Sequence, residues 1–170
     1  MSMNASRARP RTRLRRGEVI AAAGAVVLLI SLILLSWYGL SGAVQRSAAA
    51  LGITTTISGW DALTDLRWLI LVTAIVALAL TFAQATSQAP AFPASLSAIA
   101  TVLGALTSLA LIYRVLINLP GPSDLVGARA GAYLGLVSAI ALTVGAFLSL
   151  REEDPADPVR NAAIETVHVG

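Results

Sequence analysis

The chain has no cysteine and no lysine, a single histidine, and only 12% charged residues over 170 positions. Without a thiol there is no disulfide, no thiolate metal site and no cysteine nucleophile. His168 stands third from the C-terminal end, and a lone terminal imidazole supplies neither a metal-ligand set nor a base beside a nucleophile. No catalytic, metal or cofactor-binding residue is therefore assigned. Charge is missing above all from residues 68–113, about 46 positions without one Asp, Glu, Lys or Arg. The apolar runs contain only small hydroxyl residues: Ser31, Ser36, Thr73, Thr81, Thr101, Thr107, Ser108, Ser138 and Thr143. Intramembrane ionisable groups mark proton relays and ion paths because they are costly to keep there, so their absence at mid-depth weighs against coupled transport. All twelve basic residues are Arg, which points to a GC-rich genome.

What is present is apolar: 56% of residues are hydrophobic and the mean hydropathy is +0.78, too high for an ordinary soluble domain. A bilayer crossing needs about 20 apolar residues per helix. Four such runs are expected at residues 19–40, 60–83, 94–119 and 124–150, which makes the fold all-α, a four-helix transmembrane bundle over residues 18–150. Residues 1–17 read as a disordered basic arm and 151–170 as a disordered acidic tail. The first run, about 22 uncharged residues, exceeds a signal-peptide core of about 7 to 15, so it is expected to be retained. Residues 41–58 form a small cap. Within it Ala48, Ala49 and Ala50 are weakly helical, and Ile53, Thr54, Thr55, Thr56 and Ile57 are β-branched and extended. Ser58 followed by Asp61 resembles a capping box that would start the second helix. Residues 84–93 and 120–124 are turns, with Ser123 or Asp124 capping the fourth helix.

Orientation follows from Arg placement. With four spans both termini share a side, which holds Arg7, Arg9, Arg11, Arg13, Arg15, Arg16, Arg151 and Arg160, against Arg46, Arg67, Arg114 and Arg129 on the other. The positive-inside rule puts both termini in the cytoplasm and the cap outside. A basic arm directly before a span is read as this topology signal and not as a nucleic-acid site. The aromatics agree: Trp37, Tyr38, Trp60, Trp68, Tyr113 and Tyr133 fall at the outer helix ends as interface anchors, and Phe82, Phe92 and Phe147 toward the inner ends.

Two clusters stand out. Gly127, Gly131, Gly135, Ala139 and Thr143 recur every four residues, a small surface that lets another helix come close and, drifting about 40° per step, serves two neighbours. Leu at Gly131 or Gly135 is expected to be disruptive, and Leu at Gly17, the edge of the arm, to be mild. The second is an outer charge cluster: Asp61, Asp65, Arg67 and Arg114. Asp61 and Asp65 lie one turn apart, a spacing that suits a metal or an acid/base pair but more often marks a solvated helix start. Asp65 and Arg114 are equally far, about 24.5 residues, from the middle of the turn joining their helices, so helical rise brings them to one height. Arg114 is expected either to pair with Asp65, or with Asp61 one turn further out, or to lie apart and snorkel.

Trp37-Tyr38-Gly39-Leu40, Gly59-Trp60-Asp61-Ala62-Leu63, Gly131-Ala132-Tyr133-Leu134-Gly135-Leu136 and Ser149-Leu150-Arg151-Glu152-Glu153 resemble small uncharacterised four-span proteins of high-GC, actinobacterial-style bacteria. The resemblance implies a multi-pass protein of the plasma membrane and no particular activity. Small four-span transporters with a buried Glu in their first helix are near in size, but Glu18 stands at the mouth of that helix beside Arg16. Claudin-like proteins are set aside for want of their paired loop cysteines. The expectation is a non-enzymatic envelope protein embedded in the lipid bilayer, packing with a second copy or another membrane protein. It has no nucleic-acid partner and no identifiable small-molecule substrate. The alternative is a component of a small transporter or channel.

Overall fold

The computed structural model describes residues 16–86, 93–119 and 125–153. The arm before Arg16, the tail beyond Glu153, residues 87–92 and 120–124, Phe92, the Ser123 or Asp124 cap and His168 lie outside the described residues; the turn expected at 84–93 is corrected at its ends, where 84–86 close one helix and Pro93 opens the next. Four helices are long and apolar enough to cross a membrane: α1 (Arg16–Leu34), α4 (Leu66–Thr86), α5 (Pro93–Ile112) and α6 (Ala130–Glu153). Between them lie β1 (Ser36–Leu40), the short helix α2 (Gly42–Ala50), β2 (Thr56–Ser58), the single turn α3 (Gly59–Ala62), a π-helical turn at Tyr113–Ile117, and β3 (Val126–Ala128).

The fold is therefore not purely α. A three-stranded antiparallel sheet, ordered β2-β1-β3, closes one end of the bundle. The expected first helix at 19–40 is corrected: it stops at Leu34 and the chain turns into a strand. The physical reason is Trp37, whose indole N–H donates to the Ser31 carbonyl at 2.8 Å. The same carbonyl accepts from the Leu35 amide at 3.2 Å, so the indole is a second donor folded back onto the last turn of α1. Beyond it the β1 backbone pairs on both sides: Gly39 faces Thr56 of β2 and Gly127 of β3. The register with β2 slips between Ser36 and Tyr38. That bulge breaks the strand's alternation, and consecutive side chains, Trp37 and Tyr38, are both buried.

The expected start of the second helix is also corrected. Ser58 does cap a helix, accepting from the Asp61 N–H at 3.3 Å and donating its hydroxyl to the Asp61 carboxylate at 2.8 Å. That helix is the single turn α3, and the chain breaks over Leu63–Asp65 before α4 begins at Leu66. At the far end of the hairpin, Pro93 opens α5, a first-turn position where its missing N–H costs nothing.

The four long helices form a closed ring in which α1 packs against α6 and α4, and α5 against α4 and α6. Alternating chain direction makes every neighbour antiparallel. The closest seam is α1 on α6, and its contacts are backbone on backbone. A Cβ at Gly17 would lie 2.7 Å from the Ser149 amide, one at Gly24 2.7 Å from the Leu142 amide, and one at Gly145 2.7 Å from the Gly17 carbonyl. Between helices in lipid, such close approach is the main source of association. Gly17 thus belongs to this seam and not to a loose arm, so the mild effect expected of Leu at Gly17 is withdrawn. The outward faces carry Ile33, Ile75, Val102, Leu106, Leu109, Val137 and many other exposed apolar side chains, a belt far larger than a water-facing surface sustains.

Candidate functional site

The small residues of α6 separate into distinct tasks. Gly127 lies in β3, where a Cβ would meet only Ser41 at an ordinary 3.7 Å, so it is not a rung of the helix. Gly131 and Gly135 face the end of α1, where a Cβ on Gly131 would lie 2.6 Å from the Ser36 carbonyl and one on Gly135 3.1 Å from the Ser31 hydroxyl. They line a slot for the Trp37 indole, whose other side is covered by Gly59 of α3. A Cβ on Gly59 would come 2.7 Å from that ring, and one on Gly135 would collide with it outright. Ala139 is buried. Thr143 turns to α5, where its hydroxyl meets Ser108 at 3.1 Å and its side chain fills the gap left by Gly104. A second buried hydroxyl pair, Thr73 with Thr107 at 2.7 Å, joins α4 to α5.

The aromatic residues also divide. Trp37 and Tyr38, expected as interface anchors, are completely buried under the cap, where three glycines leave room for the indole. Trp68, Tyr113 and Tyr133 are more than half exposed at the capped ends of α4, α5 and α6, and Trp60 is partly buried beside them. Phe82 and Phe147 are exposed at the opposite end. The Arg67 guanidinium lies over both Trp60 and Trp68, at 5.1 and 5.6 Å from their ring centroids, and the two indoles meet edge to face.

Of the expected charge cluster, Asp65 and Arg114 come together and Asp61 and Arg67 do not. Asp61 is engaged by Ser58, and the break before α4 removes it from the helix face it was expected to share with Asp65. Asp65 and Arg114 stand on the walls of one half-open cleft of about 290 Å³, with Thr64, Leu66, Ala110 and Tyr113 also lining it. No ion pair joins them among the described residues. Arg114 sits in the π-helical turn. Its guanidinium makes one long contact, 3.4 Å to the Asn118 carbonyl, and its own carbonyl receives the Tyr38 hydroxyl at 3.4 Å. Burial pushes the Tyr38 phenol above its ordinary value of 10.0, and the positive charge of Arg114 acts in the opposite direction. On the other side of the sheet Arg129 crosses Gly39 and donates to the Leu40 carbonyl at 2.6 Å.

Glu18 is 5% exposed, buried near the opposite end of the bundle, where the Thr81 hydroxyl reaches its carbonyl at 3.5 Å. Sequence reasoning placed Glu18 at an open mouth and missed the α1 half of the seam. The signal was there in Gly17, Ala21 and Ala25, small residues at intervals of four. Among the described residues no group of three or more His, Cys, Asp or Glu comes together. No protein-family model, no curated protein and no solved structure matches the chain.

Proposed function

We propose that this chain is a non-enzymatic multi-pass protein of a bacterial plasma membrane, with both termini cytoplasmic and the sheet-bearing cap outside. It serves as a rigid anchor that meets a second copy or another membrane protein. The observation that carries this reading is the filling of the bundle at mid-depth. Leu28, Leu32, Ile70, Ala74, Ala77, Leu136 and Leu142 are buried there. The hydroxyls among them are bonded to carbonyls of their own helix or to one another. Such an interior favours packing over an aqueous path. Because Gly131, Gly135 and Thr143 are engaged within the chain, a partner would meet the cap or the lipid-facing flanks and not the small-residue ladder.

The absence of native cysteine makes the test direct, since each introduced thiol is the only one present. Cys at Ser31, Thr73 or Ser138 should stay unlabelled by a water-soluble maleimide in intact membranes. Cys at Ser47 should be labelled from outside, and Cys at Ser2 only after permeabilisation. Labelling of the three interior positions would overturn the closed-bundle reading, and labelling of Ser2 from outside would overturn the orientation. Buried Glu18 favours the second reading, a component of a small transporter, because a carboxyl enclosed by helices is the usual seat of proton coupling. Under that reading Glu18→Gln abolishes proton-driven flux in reconstituted vesicles while leaving the bundle folded.

A further inference from the structure

The cleft between the start of α4 and the π-helical end of α5 carries two opposite full charges that do not neutralise each other. A carboxylate and a guanidinium facing one cavity without an ion pair leave most of their hydrogen-bonding capacity for a third party. Arg114 has five N–H donors and makes one 3.4 Å contact. Asp65 is exposed, with about four acceptor sites. We propose that the cleft binds a phosphate ester bearing a primary ammonium group, a phosphoethanolamine headgroup, with the phosphate on Arg114 and the ammonium on Asp65.

Three observations select this chemistry. A guanidinium grips phosphate oxygens in a planar fork, and the π-helical turn, a widening often found at functional sites, is where Arg114 is held. Asp65 on the facing wall repels a headgroup that is only anionic. It also prefers an ammonium with N–H donors to a trimethylated one, which has none to give. The third observation concerns the source of the ester. The rim residue Tyr113 continues down α5 into Leu109, Leu106 and Val102, all more than half exposed and spaced by three or four so that they form one stripe. A headgroup seated in the cleft would lay an acyl chain along this track. The site lies at the end of the bundle ringed by Trp68, Tyr113 and Tyr133, the level at which amphipathic rings meet headgroups. The inference rests on the membrane reading above and is independent of which side the cap faces.

The test uses the full-length chain, delipidated in detergent and offered dioleoyl phosphatidylethanolamine, phosphatidylglycerol or phosphatidylcholine in equal amounts, with retained lipid read by native mass spectrometry. The expected result is a preference of about tenfold for phosphatidylethanolamine over both others, the value of one charge-assisted hydrogen bond. Asp65→Asn should raise phosphatidylglycerol to parity, and Arg114→Gln should lower retention of both phosphatidylethanolamine and phosphatidylglycerol. Displacement by lysophosphatidylethanolamine but not by O-phosphoethanolamine identifies a lipid as the occupant. Equal displacement by both identifies a soluble ester of the same chemistry. Equal retention of the three lipids by the unsubstituted protein overturns the proposal without any variant having to fold, as does a preference that survives both substitutions. Failure here would leave the thiol-labelling pattern, and hence the membrane reading, untouched.

Discussion

Trp37 is the residue on which the capped end closes. Its ring occupies a slot with glycine on two elements, and its N–H folds back onto the Ser31 carbonyl in the last turn of α1. Adding one methyl at Gly135 forces the ring or α6 to move, an overpacking cost of about 1–3 kcal/mol. Gly135→Ala should therefore lower thermal stability in detergent clearly, and Gly127→Ala, with space around it, should not. In a Trp37→Ala background the Gly135→Ala penalty should shrink to what the Ser31 hydroxyl, 3.1 Å from the new methyl, still imposes, and a double-mutant cycle without coupling would remove the slot. Tyr38 allows a pH test. Its pKa is raised in the folded state by burial, so the unfolded chain ionises first as pH climbs. The stability it contributes is intact below the ordinary value of 10.0 and declines as pH rises toward the folded value. Melting temperatures between pH 8 and 11 should fall at the alkaline end, and Tyr38→Phe should flatten that fall. A profile that Tyr38→Phe leaves unchanged would assign the loss to other groups.

At the scale of elements, the α1 and α6 backbones touch over several turns, so Gly17→Leu and Gly145→Leu should destabilise the bundle comparably, against a small effect of Leu at the exposed Ala23. The hydroxyl pair between α4 and α5 is a weaker tie. A cycle of Thr73→Val with Thr107→Val should show coupling of about 0.6 kcal/mol, and no more than about 1.7. The long helices were legible in the sequence because length and apolarity are local properties, and so was the Ser58 to Asp61 cap, which spans one turn. The sheet was not. Residues 35–40 run on from an apolar helix with only Gly39 as a break, and half of what makes them a strand is Val126–Ala128, supplied from the far end of the chain. In the cleft, the common height of Asp65 and Arg114 is helix arithmetic. The π-helical turn, the break before α4 and the space between the two charges depend on tertiary packing that no spacing rule encodes.

For the whole molecule, the central strand β1 binds the connection after α1 to the connection before α6, so both loops at the capped end move as one piece. Amide exchange should be slower at Tyr38 and Gly39, paired on both sides, than at Thr56 and Ile57 on the sheet edge. Loss of that order in exchange rates would mean the cap is not a single unit. The same arrangement sets a timetable for biosynthesis. Trp37 leaves the ribosome 98 residues before Gly135, the far wall of its slot, which at 5–20 residues per second is a delay of roughly 5–20 s. For most of that interval the indole has only its α3 side covered and lacks the Gly131 and Gly135 wall of its slot. A chain truncated before α6 would keep the slot open on that side, leaving half-sheltered a tryptophan that the finished protein buries completely.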